Sequence, residues 1–329
     1  MNVEVHKTVE QLIKKNKRKN TDIEIKNLQT NKDGFNNNIA MFHLTYFHDE
    51  GVFSNNVVLK EFSGNLMLSK ELTLLRSNAV NSCINTPTVY FVDIDMGIML
   101  MEYVKGDTLD RYITSNSADR GLAFGKFGTT LAHIHSISTE EDHDDIDLRH
   151  KNDIHFYLES LKNRVSKFEN SIYVNCLQNI SKKFRDVSFT EALNHGDYHF
   201  GNTIITNENK LYILDWEKAF IGDPRFDIAN SLTLGYSWFG LCFKEIMVDA
   251  YQSIINKKIE HLECFEALSS FDSFTKVVPL IQGADDSHIR DRSFEWLKRR
   301  YELFVKHNGT RINEAEEYLL SKGLPLSIL

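Results

Sequence analysis

Asp197, Asn202 and Asp215 fall in one stretch, NHGDYHFGNTIITNENKLYILDWEKAFIGDPRFDIAN (194–230), that crowds carboxylates, amides and histidines around a short apolar run. Like charges repel and buried polar groups are costly, so such crowding calls for cations or phosphates among the carboxylates. The Asp-x4-Asn spacing, with a further aspartate after the next hairpin, is one that phosphoryl transfer uses. There, one aspartate accepts the proton of the attacking hydroxyl, while the asparagine and the second aspartate hold Mg2+. Two plainer readings are open to the same residues. His195, Asp197 and His199 could ligate zinc, although such sites draw further ligands from a defined frame and none is evident. The stretch could also be a structural loop.

Phosphate chemistry needs a fixed cation. Lys60 sits centrally in the strand-like run VVLKEF (57–62), among apolar and β-branched neighbours, where an unpaired ammonium is costly unless it meets phosphate or carboxylate. Glu71, eleven residues later in the helical pattern SKELTLLR, is its natural partner, as in the lysine–glutamate ion pair of kinases. Glu61 and Lys70 are then the solvated neighbours. The alternative for Lys60 is an edge-strand lysine facing water.

The complete set HGDYHFGN, LDWE and GDPRFDIAN resembles the aminoglycoside phosphotransferase and choline kinase-like small-molecule kinases, relatives of the protein kinases, over most of the chain. The resemblance implies a bilobal protein-kinase-like fold, with Asp197 as catalytic base and Asn202 and Asp215 as magnesium ligands. It also implies that Asp227 braces the catalytic loop, which His195 supports; by physics alone Asp227 could equally be a helix N-cap. GFNN (34–37) fits the G-x-x-N phosphate loop of this family, so Gly34, Phe35 and Asn36 are expected to offer backbone amides to phosphate, with one glycine where protein kinases have three. IMLMEYVKGDTL (98–109) looks like the lobe connection, in which Glu102, Tyr103 and Val104 offer backbone groups to adenine and Gly106 releases the chain.

ATP and Mg2+ follow from this resemblance, as does a small-molecule hydroxyl as acceptor: an aminoglycoside, an amino alcohol such as choline, or a sugar-like metabolite. Glu217 is expected at metal-bound water or substrate. Tyr236, Trp238 and Phe239, with Trp296 and Tyr301, could box a quaternary amine, although aromatics at helical spacing also build cores. The acidic run Glu140 to Asp147 would flank the acceptor cleft or lie in a solvated loop. His135 in AHIHSI reads as a satisfied core histidine without chemistry. Two rivals come from other classes. A protein kinase would share the core motifs, yet WEKAFIGDPRFD is too short for its activation loop; a non-catalytic nucleotide-binding regulator would have lost one of Lys60, Asp197, Asn202 or Asp215.

The elements that must carry these residues are legible in outline. Between Asp22 and Phe62, IEIKNL, NIAMFHLTYF and VVLKEF read as antiparallel strands, with Gly51, Asn55 and Asn56 suited to the loop joining the last two. Leu66 to Val80 repeats apolar residues at helical spacing, and TPTVYFVD and GIMLMEYV read as two more strands. Beyond Gly106 the patterns are helical, with one interruption at Asn202 to Asp215 where TIIT and LYILD flank the turn NENK. The chain is thus expected to be α+β: a small β-rich nucleotide-binding lobe (1–101), a connection (102–106) and a larger, mainly helical lobe for catalysis and substrate (107–329).

Composition bounds the rest. A chain of 329 residues, 42% hydrophobic and 26% charged, is long enough for two cores. A net charge of -8 argues against a nucleic-acid partner, and the basic run KKNKRKN (14–20) reads as a solvated helix end. Cys83, Cys176, Cys242 and Cys264 lie far apart without a CxxC pair, so free thiols and a reducing, cytoplasmic setting are expected. The first twenty residues are too charged for a signal peptide. The longest uncharged run, Ile228 to Phe243, is broken by Asn230, Ser231, Thr233 and two glycines, which suits a buried helix and no membrane partner.

Overall fold

A computed structural model describes residues 2–17, 22–31, 38–48, 51–139, 148, 154–283 and 291–326. The elements run α1 (Asn2–Lys17), β1 (Ile23–Asn31), β2 (Asn38–His48), β3 (Gly51–Glu61), α2 (Asn65–Arg76), α3 (Asn78–Cys83), β4 (Val89–Asp93), β5 (Ile98–Glu102), β6 (Asp107–Thr108), α4 (Leu109–Ser115) and α5 (Arg120–His135). They continue with α6 (Ile154–Val165), α7 (Ile172–Lys183), β7 (Ala192–Asn194), β8 (Thr203–Ile205), β9 (Leu211–Ile213), β10 (Phe220–Gly222) and α8 (Arg225–Phe239). Last come α9 (Lys244–Ile255), α10 (Leu262–Thr275), α11 (Val278–Ile281), α12 (Asp291–Asn308) and α13 (Asn313–Ser321). The chain forms two compact units: the first draws on Met1–Leu109 and Asn202–Ala219, the second on Asp110–Thr139, Asp147–Gly201 and Phe220–Leu329.

The first unit is built on an antiparallel sheet of order β1-β2-β3-β5-β4. Register decides its two faces. Ala40 lies opposite Leu59 and Ile39 opposite Lys60, so alternate residues separate an apolar face from the face that carries the lysine. Ala40, Phe42, Leu44, Val57, Leu59 and Leu100 bury against Val9, Leu12 and Ile13 of α1, whose spacing puts them on one stripe of that helix. β3 lies between β2 and β5, which makes Lys60 a central-strand residue and removes the edge-strand alternative.

Two expectations are corrected here. β2 and β3 run further than the apolar pattern suggested: Asn55 and Asn56 belong to the ladder, where Asn56 and Ser54 bond the His43 ring at 3.0 Å each. Cross-strand polar pairs extend a hairpin that an alternation argument ends early. The helix expected to run on to Val80 is two helices, because Ser77 takes an extended backbone and its hydroxyl accepts the Val80 N–H at 3.3 Å, capping α3.

The second unit is mainly helical. α10 is buried along nearly its whole length, and α5 packs on α9 so closely that a Cβ at Gly128 would stand 2.2 Å from the Met247 carbonyl oxygen. α8 covers most of the long uncharged run and ends at Gly240, whose φ of 72° stops the helix. β7 and β10 were not foreseen. Each has only three residues, and they pair across a chain separation that local periodicity cannot sense. Among the described residues no helix is long and apolar enough to cross a membrane.

Candidate active site

Within the first unit, the Lys60 ammonium is ringed by carboxylates. Its Nζ lies 2.5 Å from Glu71 Oε2 on α2, 2.6 Å from Asp215 Oδ1 and 3.6 Å from Glu217 Oε2, and 4.6 Å from the Phe62 ring centroid. Burial opposes the charge on Lys60, yet the combined pull of Glu71 and Asp215 carries its pKa above the ordinary lysine value. Burial pushes Glu71 up to about 7, with Lys60 pulling the other way and the Asp215 charge adding to the rise. Three carboxylates against one ammonium leave two formal negative charges, and oxygens of Glu71, Asp215 and Glu217 all lie within 4.8 Å of one another. Hard carboxylate oxygens are of the kind that hold magnesium, which takes one or two of them beside water and phosphate.

The β8–β9 hairpin brings the two expected metal ligands to one end. Thr203 pairs with Ile213, and the Leu214 N–H donates to the Asn202 carbonyl at 2.9 Å, so Asp215 follows directly on the residue opposite Asn202. Asp215 holds a left-handed backbone (φ 68°, ψ 62°), a sparsely populated state for a residue with a side chain. Lys70 is half-buried, not solvated as expected, and donates to the Ala219 carbonyl at 3.1 Å. Glu61 is exposed and accepts from Asn38 at 3.0 Å.

The expected adenine edge shows a clear division of labour. Glu102 N–H donates to Thr88 O at 2.8 Å, Tyr103 N–H to Asn56 O at 3.3 Å, and Thr88 N–H goes to the Glu102 carboxylate at 3.0 Å instead of its carbonyl. Val104 is buried, and among the described residues its N–H has no partner. Gly34, Phe35 and Asn36 lie outside the described residues, as does the acidic run Glu140 to Asp147.

In the second unit, the loop after β7 is pinned through its own backbone. Asp227, in the first turn of α8, accepts from His195 N–H at 2.6 Å and Gly196 N–H at 2.9 Å; the His195 ring in turn accepts from Asp197 N–H at 3.2 Å. Gly196 has a φ of 81°, a conformation in which a side chain is strained, and this turn aims the next residue. Ser231 on α8 bonds the Tyr198 carbonyl at 2.7 Å, and Tyr198 bonds the Phe127 carbonyl on α5 at 2.9 Å. The Asp197 carboxylate keeps 22% of its exposure, 3.8 Å from His199 Nε2.

A cavity of about 550 Å3 in the same unit is lined by Phe124, Tyr236, Trp238 and Phe239, with Glu295, Glu302, Arg120 and Arg299. Trp238 forms its link to the loop, standing edge-on to His199 with ring centroids 5.6 Å apart. Arg299 donates to the Ser237 and Trp238 carbonyls at 3.0 Å each, which anchors the end of α8. Two of the five aromatics considered for an amine box are placed elsewhere. Tyr301 is core, bonded to Ile312 and Glu316, and Trp296 carries the Arg300 guanidinium on its face.

Several supporting residues were not foreseen as such. Arg225 forks onto Asp223 at 2.7 Å through Nε and Nη2 and also reaches the Ser188 and Glu260 carbonyls. Its position two residues from Asp223 was the only hint in the sequence. Arg299 and Tyr251 carried none, because their partners lie far away in the chain; His135, read as a satisfied core histidine, is buried and bonded to Tyr251 at 2.8 Å.

A central-strand lysine held by a helix glutamate, together with an aspartate loop pinned by the following helix, defines an α+β fold of the protein-kinase type. Comparison with known proteins places the chain more narrowly. The model of the phosphotransferase enzyme family matches residues 69–264, and the chain belongs to that family; it is a small-molecule kinase. No curated protein sequence matches it. Solved structures that it resembles include the choline kinase LicA from Streptococcus pneumoniae, at 18% identity over 92% of this chain and 99% of that one, with a TM-score of 0.59. An ADP-bound aminoglycoside phosphotransferase, APH(2'')-Ib, matches at 18% identity over 92% and 99%, TM-score 0.58. The GDP and kanamycin complex of APH(2")-IIia matches at 14% identity over 94% and 100%, TM-score 0.61. At such identities these likenesses carry the fold.

Proposed function

We propose that this enzyme moves the γ-phosphoryl group of ATP onto a hydroxyl of a small molecule that also carries a cationic amine. The observation that carries the reading is the buried Lys60 between Glu71 and Asp215, since an ammonium so enclosed is poised to meet phosphate oxygens. Lys60 binds those oxygens, with Glu71 fixing its position. Asp197 orients the acceptor hydroxyl and takes its proton as the oxygen bonds to the γ-phosphorus and the bond to the β-phosphate oxygen breaks, releasing ADP. Asn202 and Asp215 would hold magnesium, with Glu217 beside them, and the bound ion supplies positive charge to the phosphates. Asp227 and His195 keep the Asp197 loop in place.

The open N–H of Val104 and the carbonyl of Glu102, spared by the side chain that satisfies Thr88, suit the acceptor-and-donor edge of adenine. Residues 102–106 then serve as the connection between nucleotide-binding and substrate-binding regions, and Gly34 to Asn36 as the phosphate loop. What supports the amine is the aromatic part of the cavity, whose ring faces attract a cation; Glu302, paired with Lys298, and Glu295 line it beside Arg120 and Arg299. Tyr236 and Trp238 are its walls. Free cysteines, two buried and two exposed, agree with action in the cytoplasm.

The test is ADP release from Mg-ATP across amino alcohols, aminoglycosides, sugars and simple amines, with Asp197→Asn as the blank. Turnover confined to amine-bearing alcohols and lost in the blank is expected. A neutral sugar as the sole acceptor would overturn the amine assignment, and undiminished turnover by Asp197→Asn would overturn the base assignment.

A further inference from the structure

The cavity of the second unit carries more charge than an amine alone would call for. Arg120, Arg299, Glu295 and Glu302 all line it beside the rings of Phe124, Tyr236, Trp238 and Phe239. We propose that the acceptor is a zwitterion, with an oxyanion (a carboxylate or a phosphate ester) beside its amine and hydroxyl, and that Arg120 is the specificity-determining residue that receives the oxyanion. This rests on the reading of that cavity as the acceptor site.

Pairing around the cavity decides which charges are compensated. Glu295 and Arg299 form one i,i+4 pair of α12, with Oε1 3.3 Å from Nε, and Arg299 also gives Nη1 to the Ser237 and Trp238 carbonyls at 3.0 Å each. Lys298 and Glu302 form the next, at 3.9 Å, with side chains 12% and 6% exposed. Both carboxylates therefore already face a cation of their own helix. Arg120, the first residue of α5, is held differently: its Nε donates to the Ile113 carbonyl at 3.1 Å, and among the described residues neither terminal nitrogen has a hydrogen-bond or ion-pair partner.

The charged groups do not cancel. Three cations, Arg120, Arg299 and Lys298, stand against two carboxylates, which leaves one positive charge, and the pairing places it on Arg120. A purely cationic acceptor would meet repulsion there and would have to draw on carboxylates that are already paired, whereas an oxyanion removes the excess. A guanidinium suits this work: with Nε fixed on a backbone carbonyl, the planar fork of Nη1 and Nη2 remains, and its N–H groups match the oxygens of a carboxylate or phosphate. The amine of the same molecule goes to the ring faces of Tyr236 and Trp238, which attract a cation through their own quadrupole. A volume of about 550 Å3 has room for both groups and the hydroxyl. Arg120 is exposed, so water screens part of the gain and the expected preference is moderate.

The experiment measures kcat/KM for ADP release from Mg-ATP with acceptors paired so that the oxyanion is the difference: L-serine against ethanolamine, L-threonine against isopropanolamine, and glycerophosphoethanolamine against ethanolamine as the phosphate arm. The ratio within a pair is read in one enzyme preparation, so partial misfolding of a variant cancels. In the wild type at least one zwitterion should exceed its partner by about fivefold to thirtyfold, the scale of a partly screened charge-assisted bond, mainly through KM. Arg120→Gln should bring that ratio within about twofold of unity, Arg120→Lys should keep part of it, and Arg120→Glu should invert it. Preference in the serine or threonine pair assigns a carboxylate, and preference in the glycerophospho pair alone assigns a phosphate ester. No zwitterion favoured over its partner, whatever else is turned over, or a preference that survives Arg120→Glu, would overturn this inference; the proposed function stands if amino alcohols or aminoglycosides are still phosphorylated. Turnover of neutral sugars alone would remove the amine assignment and this inference with it.

Discussion

Replacing Glu71 by glutamine tests how Lys60 is held. The amide keeps the size of the side chain and an oxygen to accept from the ammonium 2.5 Å away, and it removes the charge. A charge-assisted bond exceeds its neutral counterpart by about 1–2 kcal/mol, which amounts to about a fivefold to thirtyfold loss in kcat/KM. The loss should depend on pH in a defined sense. Burial raises the Glu71 carboxyl to about 7 from an ordinary 4.5, so at about pH 8.5 the wild type is charged and differs fully from the variant. At about pH 6 most of the wild-type carboxyl is protonated, and the two enzymes should come within about twofold to threefold of each other.

Stability should move in the opposite direction. A carboxyl whose folded pKa exceeds its unfolded value binds more protons in the native state, so wild-type stability falls as pH rises from 4.5 to about 7. That shift is worth on the order of 3 kcal/mol, and the glutamine variant escapes it. Initial-rate kinetics with Mg-ATP and thermal melts at matched pH give both readouts. A kcat/KM ratio that stays flat with pH, or a variant whose relative stability worsens as pH rises, would refute the idea that an ionised, desolvated Glu71 holds Lys60.

Two further outcomes can be checked directly. Asp215→Ala should weaken nucleotide binding about tenfold or more when magnesium is present and leave metal-free binding nearly unchanged, by titration calorimetry with and without a chelator. On α5, Gly128→Ala should destabilise by about 1–3 kcal/mol, because the new Cβ meets the Met247 carbonyl oxygen at 2.2 Å, whereas Gly125→Ala adds a methyl into open space and should be neutral or stabilising by up to about 1 kcal/mol; urea unfolding of both separates packing from helix propensity.

The sequence by itself determined the order of the main elements and singled out the candidate residues that they carry. Asn202 and Asp215 are legible as a pair because a hairpin is local: a few residues of spacing fix which residues share an end, and the β8–β9 register pairs Thr203 with Ile213 accordingly. Lys60 and Glu71 are legible because period-two and helical patterns place one in a strand and the other on the next helix. The short strands β7 and β10, the break at Ser77 and the full length of the β2–β3 ladder were not, since each rests on a cap or cross-strand bond that periodicity does not record. Only the tertiary structure could decide that Lys60 is central and that Glu217 joins its carboxylate ring. The same holds for Tyr301, which leaves the aromatic set for the core, and for His135, which stands behind Asp227. Those outcomes depend on burial and on partners a hundred or more residues apart, as with Lys60 and Asp215 or His135 and Tyr251. The energy of a buried charge or hydrogen bond is set by what surrounds it in space, and that is a property no single stretch of sequence contains.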